Sequence, residues 1–148
     1  MKVLLDVNVI VDILGATEDV LYSFQALDVM LLKRFEPFMT ASMAPTVQYV
    51  LSARTCTSRP GAVSALKNLT DIIRVLDVTE VDLRRALADP LGDFEDAMIA
   101  WAAFRHGIDL IVTRNVRDFA GSPVAAVTPQ QFCEIYCPVG YEYDLAGF

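Results

Sequence analysis

A chain of 148 residues, 54% of them apolar, is the size of one ordinary domain and can bury roughly 70% of the surface its unfolded form exposes. Its 12 basic and 19 acidic residues leave a net charge of −7, which argues against gripping nucleic acid over a broad electropositive face but leaves room for carboxylates that hold cations. Mean hydropathy is +0.40, yet no apolar run approaches the ~20 residues of a membrane span, so the excess is expected in strands buried on both faces and in a self-association surface.

Val3 to Leu5 run apolar into Asp6, and the chain continues apolar from Val7 without a loop signal. This predicts a buried parallel strand that ends at Asp6 and passes directly into a short helix reaching Leu14, with Gly15 as its C′ residue. The apolar stretch before Asp6 is too short for a signal peptide, so a cytoplasmic protein is expected. Thr17-Glu18-Asp19 opens a second helix whose residues Val20, Leu21, Phe24, Leu27, Met30 and Leu31 follow helical spacing. Glu36-Pro37 ends it, and Phe38 to Ala41 reads as a second strand. Ser42 is placed to cap a third helix, with Pro45 in its first turn. A polar, basic stretch from Arg54 to Arg59 follows, and Pro60-Gly61 restarts the chain into a helix through Leu69.

Ile72 to Leu76 is a third strand, and Thr79 to Asp82 opens a helix that stops at Asp89-Pro90. Asp93 begins the strongest helix, Phe94 to His106, terminated by Gly107. Leu110 to Thr113 is the clearest later strand; a turn or short helix at 115–119, a weak strand at 124–127 and a helix from Pro129 to Tyr136 complete the domain. Strands alternating with helices predict an α/β three-layer sandwich with a central, mostly parallel sheet of about five strands flanked by helices. Residues 1–137 form the expected domain and residues 138–148 a tail without clear period. Cys56, Cys133 and Cys137 show no metal-ligand spacing, and His106 is the single histidine, so reduced thiols are expected rather than zinc.

Open parallel sheets place their chemistry at the carboxyl edge of the strands. Asp6 lies there, Asp93-Phe94-Glu95-Asp96 start a helix, and Asn115 to Asp118 follow the strand ending at Thr113. Each acid also has a local reading, with Asp93 as N-cap, Glu95 and Asp96 at the positive end of the helix dipole, and Asn115 as a turn cap. Small residues after Asp96 (Ala97, Ala100, Ala103) allow its helix to approach the sheet closely. Oxygen ligands without His or Cys partners suit Mg²⁺ or Mn²⁺, and such clusters commonly act on phosphate esters.

Leu5-Asp6-Val7-Asn8-Val9-Ile10, Asp93-Phe94-Glu95-Asp96-Ala97, the stretch from Ile111 to Phe119 and Val127-Thr128-Pro129-Gln130-Gln131-Phe132 together resemble the motifs of the PIN-domain family. These are RNase-H-like α/β nucleases that include the toxins of VapBC-type toxin–antitoxin modules, and the resemblance spans about Met1 to Ile135. It implies a Mg²⁺- or Mn²⁺-dependent endoribonuclease, active as a homodimer and inhibited by a cognate antitoxin protein. It also implies Asp6, Asp96 and Asp118 as catalytic metal ligands, with Glu95 a weaker ligand, and Asn8 orienting Asp6. Thr113 and Asn115 belong to the supporting set, and Arg54, Arg59, Arg114 and Arg117 are the basic residues expected near RNA phosphates.

Two departures stand out. The family's second acid is expected on the helix after the second strand, where this chain has Thr46, with Gln48 nearby; Asn115 stands where an acid is also common. The competing reading is a PIN-like protein with weakened or lost catalysis that binds RNA or protein. A receiver-like phosphotransfer domain is disfavoured, because Thr113 is followed by Arg114 rather than by the lysine expected there.

Overall fold

The structure is a computed structural model, described here for residues 1–141; the expected tail lies mostly outside the described residues. Five strands, β1 (Lys2–Leu5), β2 (Glu36–Thr40), β3 (Arg74–Leu76), β4 (Leu110–Val112) and β5 (Ala126–Val127), form one sheet in the order β3-β2-β1-β4-β5. Every pairing is parallel, so all five carboxyl ends share one edge. Seven α-helices accompany the strands among the described residues, six between strands and the last after β5: α1 (Val7–Gly15), α2 (Val20–Leu32), α3 (Met43–Arg54), α4 (Arg59–Leu69), α5 (Glu80–Ala88), α6 (Phe94–Arg105) and α7 (Pro129–Tyr136). A single 3-10 turn spans Val116–Phe119. The expected α/β sandwich is thus present, and its sheet is wholly parallel.

The central strands explain the apolar excess. Val3, Leu4 and Leu5 of β1 and Ile111 and Val112 of β4 are wholly inaccessible, because helices cover both faces of a parallel sheet. Ala97, Ala100 and Ala103 are also fully buried, which lets α6 sit close to its neighbours. None of the helices among the described residues is long and apolar enough to cross a membrane. Cys133 is buried, Cys137 partly buried and Cys56 exposed, and no two of them are bonded to each other.

Several local expectations are corrected. β2 begins two residues early and contains Pro37. The Glu36 amide donates to the Met1 carbonyl, so the nitrogen of Pro37 faces the β3 side, where pairing starts only at Phe38 and no donor is needed. Gly15 closes α1 but is not its left-handed residue; Ala16 is, at φ 46°. The glycine serves close packing instead, since a Cβ there would stand 3.0 Å from Thr55 Cγ2 and 3.1 Å from Leu51 Cδ2. Ser42 precedes α3 but makes no side-chain cap, because its hydroxyl bonds with that of Thr40. The third strand loses Ile72 and Ile73 to the preceding turn, and β5 shrinks to two residues.

Candidate active site

β1 ends where the sequence places Asp6, and its ladder runs one step further, since the Asp6 amide donates to the Val112 carbonyl at 3.0 Å. Asp6 then caps α1, its Oδ1 accepting from the Val7 amide at 2.7 Å. Its Oδ2 accepts from Asn8 Nδ2 and from Thr113 Oγ1, both at 2.7 Å. The carboxylate is 3% exposed, and burial raises its pKa above the usual range against the lowering pull of those donors. Thr113 works in three directions, because its hydroxyl also accepts from the Asn115 amide at 3.0 Å and lies 3.3 Å from Asn8 Nδ2. Asn8 completes the tie by accepting from the Arg114 amide. The ends of two adjacent strands are therefore stitched together around one carboxylate.

α6 brings the next acids. Asp93 Oδ1 accepts from the amides of Glu95 and Asp96 at 2.9 and 3.2 Å, the capping role that its sequence position suggests. Asp96 faces the same cleft as Asp6. Its pKa is pushed up to about 7, first by burial and then by the negative charge of Asp6, Asp93, Asp118 and Glu95. Asp118 comes from the 3-10 turn after β4. Asn115 precedes that turn without capping it by its side chain, and instead faces the cleft.

The cleft holds about 360 Å³ and is lined by Asp6, Asn8, Thr46, Arg54, Asp93, Glu95, Asp96, Arg114, Asn115 and Asp118, among others. Of the expected residues, Thr113 lies beneath it, fully buried, while Arg59 and Arg117 are not among its walls. Arg59 stands beside Tyr49, Ser52 and Thr57 on a different surface. Arg114 reaches the cleft but is already committed: its guanidinium pairs with Asp19 and lies 3.3 Å from Asp12 Oδ2.

Asp12 escaped sequence reasoning. It is wholly inaccessible and accepts from Thr17 Oγ1 at 2.6 Å and Ser23 Oγ at 2.8 Å. The available signal was a single acid interrupting an otherwise apolar run, Val9-Ile10-Val11-Asp12-Ile13-Leu14, since a buried charge requires partners. Through Arg114, this pair joins the start of α2 to the rim of the cleft.

The donor set fits a hard divalent cation. The walls supply carboxylate, amide and hydroxyl oxygens with no His or Cys, and the mutual repulsion felt by Asp96 is what a cation would relieve. Among the described residues no three acidic, His or Cys side chains stand grouped closely enough to hold a metal ion as they lie.

A small, all-parallel α/β domain with carboxylates from separate elements converging on the carboxyl edge of the sheet belongs to the class of open α/β folds that place their ligand sites at that edge. The model of the PIN domain family matches residues 2–117, and the chain belongs to that family. It is 29% identical over 139 residues to Ribonuclease VapC1 of Aquifex aeolicus (strain VF5), covering 90% of this chain and 94% of the relative. The fold is shared with VapBC2 from Rickettsia felis, solved bound to a promoter DNA fragment, at TM-score 0.64 and 19% identity over 86% of this chain and 98% of that one. It is shared too with VapC20 of Mycobacterium tuberculosis, described as a Sarcin-Ricin loop cleaving toxin, at TM-score 0.64 and 16% identity over 81% and 95% of the two chains.

Proposed function

We propose that this protein is a Mg²⁺- or Mn²⁺-dependent endoribonuclease, the toxin half of a toxin–antitoxin pair. The observation that carries the reading is the convergence of Asp6, Asp96 and Asp118, from a strand end, a helix start and a turn, on one cleft. The likeness to a VapC ribonuclease over nearly the whole of both chains supports the substrate class. The fold shared with a toxin-antitoxin complex from Klebsiella pneumoniae supports an antitoxin partner. The same reading includes a homodimer.

Asp6, Asp96 and Asp118 would hold the cation, which supplies Lewis-acid activation of water and neutralises charge at the phosphate. Thr113 and Asn8 fix the rotamer of Asp6 by donating to Oδ2, so that the carboxylate would already be oriented when a cation binds. Burial and the neighbouring acids push the Asp96 carboxyl up to about 7, so that cation binding there would be coupled to loss of its proton. Arg54, on the cleft wall, would contact a phosphate of the RNA.

Incubating the protein with structured and unstructured RNAs in Mg²⁺, in Mn²⁺ and in EDTA tests this reading. Cation-dependent cutting that disappears in Asp6→Asn and in Asp96→Asn is the expected result. Cutting that persists in both variants, or in EDTA, refutes it. The absence of an acid at Thr46 favours the rival reading of a binding module without catalysis, which predicts RNA retention without cleavage in every condition.

A further inference from the structure

We infer that Glu95, carried by α6, takes the place in the cation site that an acid on α3 would fill, and that Thr46 is the positioning residue that holds it there. The inference rests on the proposed function above and goes beyond the family resemblance, which makes Glu95 only a weaker ligand and gives Thr46 no contact with it. α3 contains no acid at all: its residues are Met-Ala-Pro-Thr-Val-Gln-Tyr-Val-Leu-Ser-Ala-Arg. It does contribute Thr46 to the cleft wall, in its first turn.

Thr46 Oγ1 donates to Glu95 Oε1 at 3.0 Å across 49 residues of sequence. That contact pins the carboxylate of an exposed first-turn glutamate against the opposite wall of the cleft. A residue serving only the helix dipole gains nothing from reaching across a groove, because the dipole interaction needs no fixed partner and fades beyond the first turn. The other acids on the walls are accounted for. Asp93 is occupied by the α6 amides, and Asp6, Asp96 and Asp118 form the proposed ligand trio.

Glu95 is then the carboxylate in the cleft left with a held orientation and no other structural task. The hydrogen bond uses Oε1, and among the described residues no other side chain donates to Glu95, so Oε2 is available to a cation. The charge missing from α3 is supplied from α6, and the α3 position retains the part of the task that needs only a hydroxyl, fixing the acid's rotamer.

Mn²⁺ titration of the full chain by calorimetry, with melting curves in EDTA to verify folding, tests the assignment without relying on catalysis. Glu95→Gln is expected to weaken Mn²⁺ binding about 10-fold or more, and Thr46→Val about 10-fold, the low end of the range for lost ligand support. Thr46→Ser should restore the affinity lost in Thr46→Val. In the Glu95→Gln background, Thr46→Val should have no further effect, because the hydroxyl acts only through Glu95. Wild-type affinity in both Glu95→Gln and Thr46→Val, alongside loss in Asp6→Asn, overturns this inference and leaves the cation site standing. Unchanged binding in Asp6→Asn as well, or no Mn²⁺ binding by the wild type, overturns both.

Discussion

Replacing Asp96 with Asn should stabilise the cation-free protein above neutral pH while destroying its cation response. Burial first, then the charges of Asp6, Asp93, Asp118 and Glu95, raise this carboxyl from 3.8 to about 7. The folded protein therefore binds more protons than the unfolded chain across that interval. The stability contributed by the protonated carboxyl is fully present below about pH 3.8 and is lost as pH rises through about 7. A raise of roughly three pH units at 1.36 kcal/mol each sets an upper bound of about 4 kcal/mol. The side chain is only half-buried, and screening by solvent reduces this to about 1–2 kcal/mol. Asn removes that penalty. Losing an acid near the α6 N-terminus costs about 0.3–1 kcal/mol, which narrows the gain without reversing it.

In EDTA at pH 8, Asp96→Asn should accordingly melt a few degrees above the wild type, at roughly 2–4 °C per kcal/mol for a chain of this size. The difference should vanish near pH 4. Excess Mg²⁺ or Mn²⁺ should raise the wild-type Tm and leave that of the variant nearly unmoved. Circular dichroism melts from pH 4 to pH 8, with and without cation, read all three outcomes. A variant that melts below the wild type in EDTA at pH 8, or by a margin that ignores pH, would refute the claim that Asp96 is a carboxyl strained by its neighbours.

Asp12→Ala removes the acceptor of two hydroxyl bonds in the core and should cost about 3 kcal/mol in urea unfolding, because bonds to a charged group contribute about 1.5–3 kcal/mol each; a loss under 1 kcal/mol would mean that the network matters little to stability. Arg54 lines the cleft and Arg59 does not, so Arg54→Ala in an Asp6→Asn background should weaken RNA binding and flatten its salt dependence by about one ion. Arg59→Ala should change neither, as measured by fluorescence anisotropy across salt concentrations.

The order of elements could be read from the chain because it depends on local pattern. Val3 to Leu5 and Leu110 to Val112 are runs that only a doubly covered strand can bury, and Asp93 and Gly107 bracket α6 by capping chemistry that acts within a few residues. Asp6 was legible for the same reason, since an acid ending such a run must lie at the sheet's edge. Side-chain roles that depend on a neighbour distant in sequence were not legible. Ser42, Gly15 and Asn115 looked like caps, but Thr40, the packing of α3 and the cleft claim them instead. Arg114 and Arg59 looked alike as basic residues until their surroundings separated them. Periodicity and capping are written within one turn or one strand, and they specify a parallel α/β domain with acids at strand ends and helix starts. Tertiary structure alone decided that Thr46 meets Glu95, that Thr113 and Asn8 hold Asp6 and that Asp12 binds Arg114. Those contacts join residues brought together only when the strand ends align along one edge, and no local pattern records which side chains will meet there.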